Sequence, residues 1–426
     1  MKIQRFDWDG GDPRALASEI RGLQPALGEV SADVAKVVAA VEAEGDPAVE
    51  RFEQSFGGVV AKPLRVPDDE LRSAPEEIPD DVRDALGNAI ANVRSVAEDE
   101  SPKPRAMERG GAAIAYREVS VAAAGAYVPG GGAAYPSTAM MCCVPAQVAE
   151  VERIAVATPP DADGKVNPLV LAAAALAGAT EVYAMGGAQA IAALGLGTET
   201  VAPVDVIVGP GNRYVQEAKR QLVGRVGIDG IAGPSELMVL VDGSAELPWI
   251  ALDLCAQAEH ADDGLLIACS AHAGVLAELE EEVQKVAGNR DTVQEAPLAM
   301  VTVPSADAAM ELANAIAPEH LELACDGAQV LARMALYPGC VFIGPGGGTA
   351  FGDFAAGTNH VLPTGGAGRF QGPLGPDAFR RRTPTVRISE EAARELAPTV
   401  ATLARAEGFP VHAESAEVRA EDGGER

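Results

Sequence analysis

Aromatic residues make up only 4% of this chain, lysine occurs seven times, and histidine five times in 426 residues. Each scarcity excludes something. With so few aromatic rings the core must be filled by alanine, valine and leucine, and a hydrophobic content of 48% is ample for that. A chain of this length exceeds a single core, so two or more domains are expected. Positive charge is also scarce: 62 acids stand against 33 bases, a net charge of −29 at pH 7. Nucleic acid and anionic membranes are therefore not expected as partners, because both recognise a positive surface. The six cysteines form no C-x-x-C pair, and Cys142 and Cys143 are adjacent. Those in apolar runs, such as Ile267-Ala268-Cys269, read as reduced core residues, so any metal is expected on nitrogen and oxygen ligands. No long hydrophobic run occurs; the stretch around Leu169 to Ala179 is too short to span a bilayer. The polar start, Met1-Lys2-Ile3-Gln4-Arg5, has no secretory pattern, and a cytoplasmic protein is expected.

The acids are spread along the chain in clusters such as Asp68-Asp69-Glu70 and Glu280-Glu281-Glu282. Self-repulsion on this scale is tolerated best where salt screens it, with a Debye length of about 3 Å at molar salt. The charge predicts a salt-rich cytoplasm, and an ordinary acidic enzyme is the alternative.

Helical spacing marks two segments near the N-terminus, Val30 to Glu42 and Asp81 to Val93. From Gly125 the texture changes. Short apolar runs end in glycine turns and lead into alanine-rich stretches: Gly125 to Gly132, Arg153 to Thr158, Glu181 to Gly187, and Val204 to Asn212. A second series follows at Glu236 to Val241, Gly264 to Cys269, Leu298 to Val303 and Gly339 to Gly344. Strand, glycine turn and helix in alternation is βαβ rhythm, which predicts an α/β fold with parallel sheets covered on both faces. Ser389 to Glu407 reads as a helix, and the tail from Ala416 as a charged, frayed end. Glycine turns also invite a nucleotide, because they let backbone N–H groups approach a pyrophosphate. The dinucleotide fingerprint G-x-G-x-x-G is nevertheless absent from both Gly209-Pro210-Gly211 and Gly130-Gly131-Gly132. The pattern alone leaves tight turns and cofactor contacts both open.

Four of the five histidines, His260, His320, His360 and His412, sit beside Gln, Glu, Asp or Asn or near the C-terminus; only His272 has a bland setting. Histidine is the usual neutral-pH proton shuttle and a common metal ligand, so one composite site is suggested. Four unrelated histidines remain the alternative, since no dense metal motif such as H-E-x-x-H is present.

Several blocks in sequence order resemble the histidinol dehydrogenase family. They are Gly125 to Gly131, Gly186-Gly187-Ala188-Gln189, Val208 to Val215, Ile228 to Glu236, Ala256 to His260, Ala317 to Glu322, Gly352 to Thr364 and Glu407 to His412. The resemblance implies two incomplete Rossmann-like parallel-sheet domains with small N-terminal and helical C-terminal segments. In that scheme residues 1–24 form an N-terminal arm. Residues 25–126 and 234–374 form the main domain with the metal and catalytic residues. Residues 127–233 form a second domain on the NAD side, and 375–426 a segment that reaches the partner subunit of a homodimer. The implied reaction oxidises L-histidinol to L-histidine with two NAD, through a retained aldehyde, using one zinc per site.

Gln257, His260, Asp353 and His412 match the zinc positions of the family. Gln257 and His260 are three apart, so on a helix they would share a face. A set of nitrogen and oxygen donors with room for substrate suits a catalytic zinc. Substrate imidazole and amine would fill the remaining positions, so the metal would orient more than activate hydroxide. His320 matches the base that takes the alcohol proton as hydride leaves, and Glu319 the group that helps it activate water against the aldehyde. Without the family, Glu319 reads as a surface acid opening a helix behind Pro318. Ser235, His360 and Glu407 match substrate contacts, alongside Gln257, His260, His320, Asp353 and His412. Tyr127, Gln189 and Asn212 match NAD contacts, with strand filling as the alternative for Tyr127.

Some positions depart from the family. Gly195-Leu196-Gly197-Thr198 stands where Ala-Tyr-Gly-Thr is usual, and Val206 where a lysine is usual. A His-x-x-Gln pattern is missing around Asn92 to Asp99, and Arg369-Phe370-Gln371-Gly372 replaces a serine-rich run. These bear on cofactor affinity and substrate detail more than on reaction type. Two other readings remain: a relative oxidising another polar primary alcohol, such as a dihydroxypropane sulfonate, and a non-catalytic zinc or nucleotide-binding paralogue. Retention of Glu407 and His412 favours histidinol, and retention of Glu319 and His320 favours catalysis.

Overall fold

The computed structural model describes residues 1–24, 29–130 and 134–421. Gly131 and Gly132 of the glycine run, residue 25 at the start of the expected main domain, and the end of the tail at 422–426 lie outside the described residues. Strands in chain order are β1 (Lys2–Asp7), β2 (Arg105–Arg109), β3 (Ala112–Ser120), β4 (Ala123–Tyr127), β5 (Arg153–Thr158), β6 (Glu181–Ala184) and β7 (Val206–Val208). They continue with β8 (Gly227–Ile228), β9 (Glu236–Val241), β10 (Leu265–Ser270), β11 (Pro297–Thr302), β12 (His320–Ala324), β13 (Cys340–Ile343) and β14 (Arg380–Ile388).

Contacts divide the chain into two units, residues 1–100 with 121–379, and residues 101–120 with 380–426. The first unit holds two parallel sheets. One is six-stranded in the order β1-β11-β10-β9-β12-β13; the other is five-stranded in the order β6-β5-β4-β7-β8. Both have the expected α/β character. Strands such as β9 and β10 are buried along their whole length, which is why they read as continuous apolar runs rather than alternating ones. Alternate residues feed opposite layers: Met238 and Leu240 join one core, and Leu237 and Val239 the other. In the five-stranded sheet Ala124 and Ala126 face one core and Ala123 and Tyr127 the other. Residues 1–24 add β1 to the sheet edge, pairing Lys2–Asp7 with β11, and Arg21 then reaches the buried Glu236 carboxylate at 2.7 Å.

Helix ends are set by local chemistry. Asn212 accepts from the N–H groups of Tyr214 and Val215 to start the Arg213–Leu222 helix, and Pro248 occupies the first turn of Leu247–Ala258, where its missing N–H costs nothing. The Ala306–Ile316 helix ends at Ala317, whose φ of +50° is left-handed, and Pro318 prevents continuation. That turn delivers Glu319 to the start of β12.

The second unit contains the antiparallel sheet β14-β3-β2 and the helices Glu390–Ala406 and Pro410–Ala420. The C-terminal segment is therefore helical only from Glu390; β14 precedes it. Pro384 and four arginines disguise this strand, and it lies at a sheet edge, where proline is tolerated. By sequence this unit carries 12 bases and 11 acids, against 21 and 51 in the first, so the acid excess falls entirely on the first unit. Among the described residues no helix is long and apolar enough to cross a membrane.

Candidate active site

Glu319 and His320 enter β12 from the Ala317-Pro318 turn, and both are buried, at 7% and 3% exposure. Glu319 is thus not a surface acid opening a helix. Its Oε2 accepts the Glu236 N–H at 2.9 Å and lies 3.5 Å from His320 Nδ1. The same Nδ1 stands 3.1 Å from the Glu236 carbonyl oxygen. Both neighbours of Nδ1 are acceptors, so Nδ1 keeps its hydrogen and Nε2 is the nitrogen left to exchange a proton. Nε2 faces Asp353 Oδ1 at 3.6 Å. Burial alone would lower the imidazole pKa, but the carboxylates of Glu319 and Asp353 outweigh it and hold His320 well above its ordinary value.

Asp353 lies on the short helix Thr349–Phe354, half-buried, with three imidazoles in electrostatic reach. Burial works to raise its pKa, yet His320, His360 and His260 together bring it below the usual carboxylate range. His360 folds back so that its Nδ1 sits 2.9 Å from the Asp353 carbonyl oxygen, and burial lowers its pKa. Gln257 is buried at the end of the Leu247–Ala258 helix, and neither its Oε1 nor its Nε2 has a hydrogen-bond partner. The helix stops at Ala258, so the expected shared helical face of Gln257 and His260 is replaced by a turn. His260 N–H still donates to the Gln257 carbonyl at 3.3 Å, while the His260 side chain is exposed. Ser235 is half-buried immediately before β9, and its carbonyl accepts the Leu265 N–H at 3.0 Å. His272 is exposed at the start of the Ala273–Ala287 helix and joins none of these groups.

Among the described residues no three His, Cys, Asp or Glu side chains converge on one metal position. The donors fit a divalent cation in kind, and they form a partial set. The partnerless, buried Gln257 amide oxygen lacks an electrophile, and Asp353 is ionised among imidazoles. Glu407 and His412 belong to the second unit. Glu407 caps the Glu390–Ala406 helix, and exposed His412 stands 5.4 Å from the Phe409 ring.

The residues matched to NAD lie at the C-terminal ends of β4, β6 and β7. Strand order reverses between β4 and β7, the place where open parallel sheets leave a crevice for ligands. Buried Tyr127 accepts the Gly187 N–H on its hydroxyl at 3.0 Å, and burial pushes its pKa up to about 12. Gln189 follows in the same turn, 3% exposed, donating from Nε2 to Glu53 at 2.8 Å. At the neighbouring turn Gly209, at φ +110°, packs so closely on the Tyr127 carbonyl that a Cβ would collide with it. Gly209 N–H donates to Asp229 at 2.7 Å, and buried Lys219 bridges Asp229 and the Gly209 carbonyl. Asn212 is exposed, with its side-chain oxygen spent on capping its helix. The Gly186 and Gly209 N–H groups are each already held by an internal carboxylate.

The family model described as histidinol dehydrogenase matches residues 24–420. The chain is 44% identical to the histidinol dehydrogenase of Haloarcula marismortui over 91% of its own length and 93% of the relative's. It is 42% identical to that of Ruegeria pomeroyi, with 92% of each chain covered. The crystal structure of histidinol dehydrogenase from Elizabethkingia anophelis superposes with a TM-score of 0.91 at 28% identity, covering 98% of both chains.

The chain belongs to the histidinol dehydrogenase family.

Membership makes it an NAD-dependent oxidoreductase of small molecules. Beyond the matched blocks of histidinol dehydrogenases, three features were missed in the sequence. The Glu236 backbone grips both Glu319 and His320. Glu53 closes the Gly186 turn from 133 residues away. Asp253 and Glu322 are neighbouring carboxyls between the Leu247–Ala258 helix and β12, both raised in pKa by burial. A local signal exists only for the last: Glu322 alternates in step with His320 along one face of a buried strand.

Proposed function

We propose that this chain oxidises L-histidinol to L-histidine in two successive hydride transfers to NAD, with the intermediate aldehyde retained. The observation that carries the mechanism is the buried Glu319–His320 pair, with Nδ1 fixed by acceptors and Nε2 turned toward Asp353. In the first step Nε2 takes the alcohol proton as hydride leaves the carbon. Glu319, behind Nδ1, orients the ring and stabilises the imidazolium that forms. In the second step the same nitrogen removes a proton from water attacking the aldehyde, and the hydrate loses the second hydride.

Gln257, His260 and Asp353 would hold one zinc, with His412 contributed across a homodimer. A zinc there would supply a Lewis acid that binds the imidazole and amine of the substrate and fixes the alcohol's direction. With Asp353 committed to a cation, its hold on the imidazolium weakens, and His320 moves toward the range of a neutral-pH base. Ser235, His360 and Glu407 would complete the substrate contacts, and Tyr127, Gln189 and Asn212 the NAD side. Residues 25–126 with 234–374 would carry the chemistry, residues 127–233 the cofactor, and 375–426 the reach to a partner, with residues 1–24 an arm. The net charge suits a salt-rich cytoplasm.

The test is the yield of NADH per L-histidinol, with added zinc and high salt. Two NADH per substrate with histidine as product is expected. Turnover of a dihydroxypropane sulfonate with none of histidinol would overturn the assignment of substrate while leaving the proton-transfer pair in place.

A further inference from the structure

Glu53 belongs to none of the matched family positions. It opens the π-helical turn Glu53–Gly57 and is 3% exposed, unusual for a carboxylate with no cationic partner among its hydrogen bonds. A single oxygen, Oε1, accepts both the Gly186 N–H and Gln189 Nε2, each at 2.8 Å. Burial raises the Glu53 pKa, and these two hydrogen bonds work against that rise. Because the oxygen accepts from Nε2, the Gln189 amide must turn its NH₂ toward Glu53 and its oxygen away. That Gln189 oxygen is buried and has no partner. Leaving a buried acceptor unmet costs on the order of 1–3 kcal/mol, so the arrangement is suited to a donor that arrives with a ligand. Tyr127 binds the next N–H of the same turn, so turn, amide and ring form one fixed assembly at the C-terminal end of the strands.

We propose that Glu53 is a positioning residue for the cofactor, fixing the Gln189 amide so that its oxygen is offered to a hydroxyl or amino donor of the bound dinucleotide. This rests on the reading of Gln189 as an NAD contact. Glu53 touches no part of the cofactor itself and acts through the amide.

The test is a double-mutant cycle on the full chain, reading NADH dissociation by its fluorescence and KM for NAD against kcat. Glu53→Ala and Gln189→Ala should each raise the NADH Kd by about 5- to 10-fold, the value of one oriented hydrogen bond. The double variant should bind no more weakly than Gln189→Ala alone, because Glu53 has nothing left to orient. KM for NAD should rise by more than kcat changes. If Glu53→Ala leaves Kd unchanged while Gln189→Ala raises it, Glu53 has no positioning role and the reading of Gln189 stands. No effect from Gln189→Ala removes Gln189 from the cofactor and the inference with it. An equal Glu53→Ala effect in both backgrounds means Glu53 only shores up the turn, and the proposal fails. Should Glu53→Ala not fold, Glu53→Gln enters the same cycle. Its amide both donates and accepts, so the flip is no longer fixed, and a smaller rise of about threefold is expected, again absent without Gln189.

Discussion

In the five-stranded sheet the residues matched to NAD stand where β4, β6 and β7 finish, whereas in the six-stranded sheet Glu319 and His320 stand where β12 begins. Helices that follow parallel strands start at the first kind of edge and end at the second. Helix starts favour anions and helix ends favour cations. Gln257 and Glu319 each follow or close a helix, Leu247–Ala258 and Ala306–Ile316, so their edge suits an imidazolium and a metal. The opposite edge would suit phosphate, yet Glu53 and Asp229 already hold its glycine N–H groups. The missing dinucleotide fingerprint thereby gains a physical reason: these turns are closed from inside. One edge is electrostatically suited to a cation, and the other is locked from within.

The sharpest way to break this division is His320→Ala. It should lower the rate of alcohol and aldehyde oxidation alike, by about 10³-fold, with zinc content and NADH affinity retained. Loss of metal from this variant would mean that His320 is a ligand and not the base. Next in size is Lys219→Met at the locked edge, which leaves Asp229 buried without its cation. It should cost about 3–5 kcal/mol in a urea melt; an unchanged midpoint would show that this edge is not held by the pair. Glu319→Gln should slow aldehyde oxidation by about 10²-fold and alcohol oxidation by less. Equal slowing of both steps would refute the division of labour within the pair.

The last prediction concerns the pH dependence set by Glu322, whose pKa is lifted to about 9 from an ordinary 4.5 by burial and by the neighbouring Asp253 carboxyl. A raised carboxyl pKa means the folded chain keeps a proton that the unfolded chain releases. The associated stability is complete below about pH 4.5 and is lost as pH climbs through about 9. Glu322→Gln, neutral throughout, should flatten the fall in urea midpoint between pH 5 and 9. An identical slope in variant and parent would place the proton elsewhere.

Much of this architecture was legible where one physical rule dominates. The buried apolar runs at Glu236–Val241 and Leu265–Ser270 are strands, and the amphipathic spacing from Val30 is a helix at Ser31–Glu44. Strand β12 was not legible, because His320-Leu321-Glu322-Leu323-Ala324 carries two polar residues that only tertiary partners make burial possible for. The β14–β3 pairing joins residues some 270 positions apart, as in Thr385 to Ala115, and no local pattern announces it. Of the matched site residues in the first unit, His320, Asp353 and His360 are joined by direct contacts, and His260 joins them through its charge on Asp353. What the motifs could not supply is the backbone of Glu236, since a main-chain grip leaves no trace in residue type.

Ala317 has one more implication. A left-handed conformation costs an alanine about 1 kcal/mol or more relative to glycine, and the following proline stiffens the turn further. The turn that leads into Glu319 and His320 thus stores backbone strain that a single step, Ala317→Gly, would release.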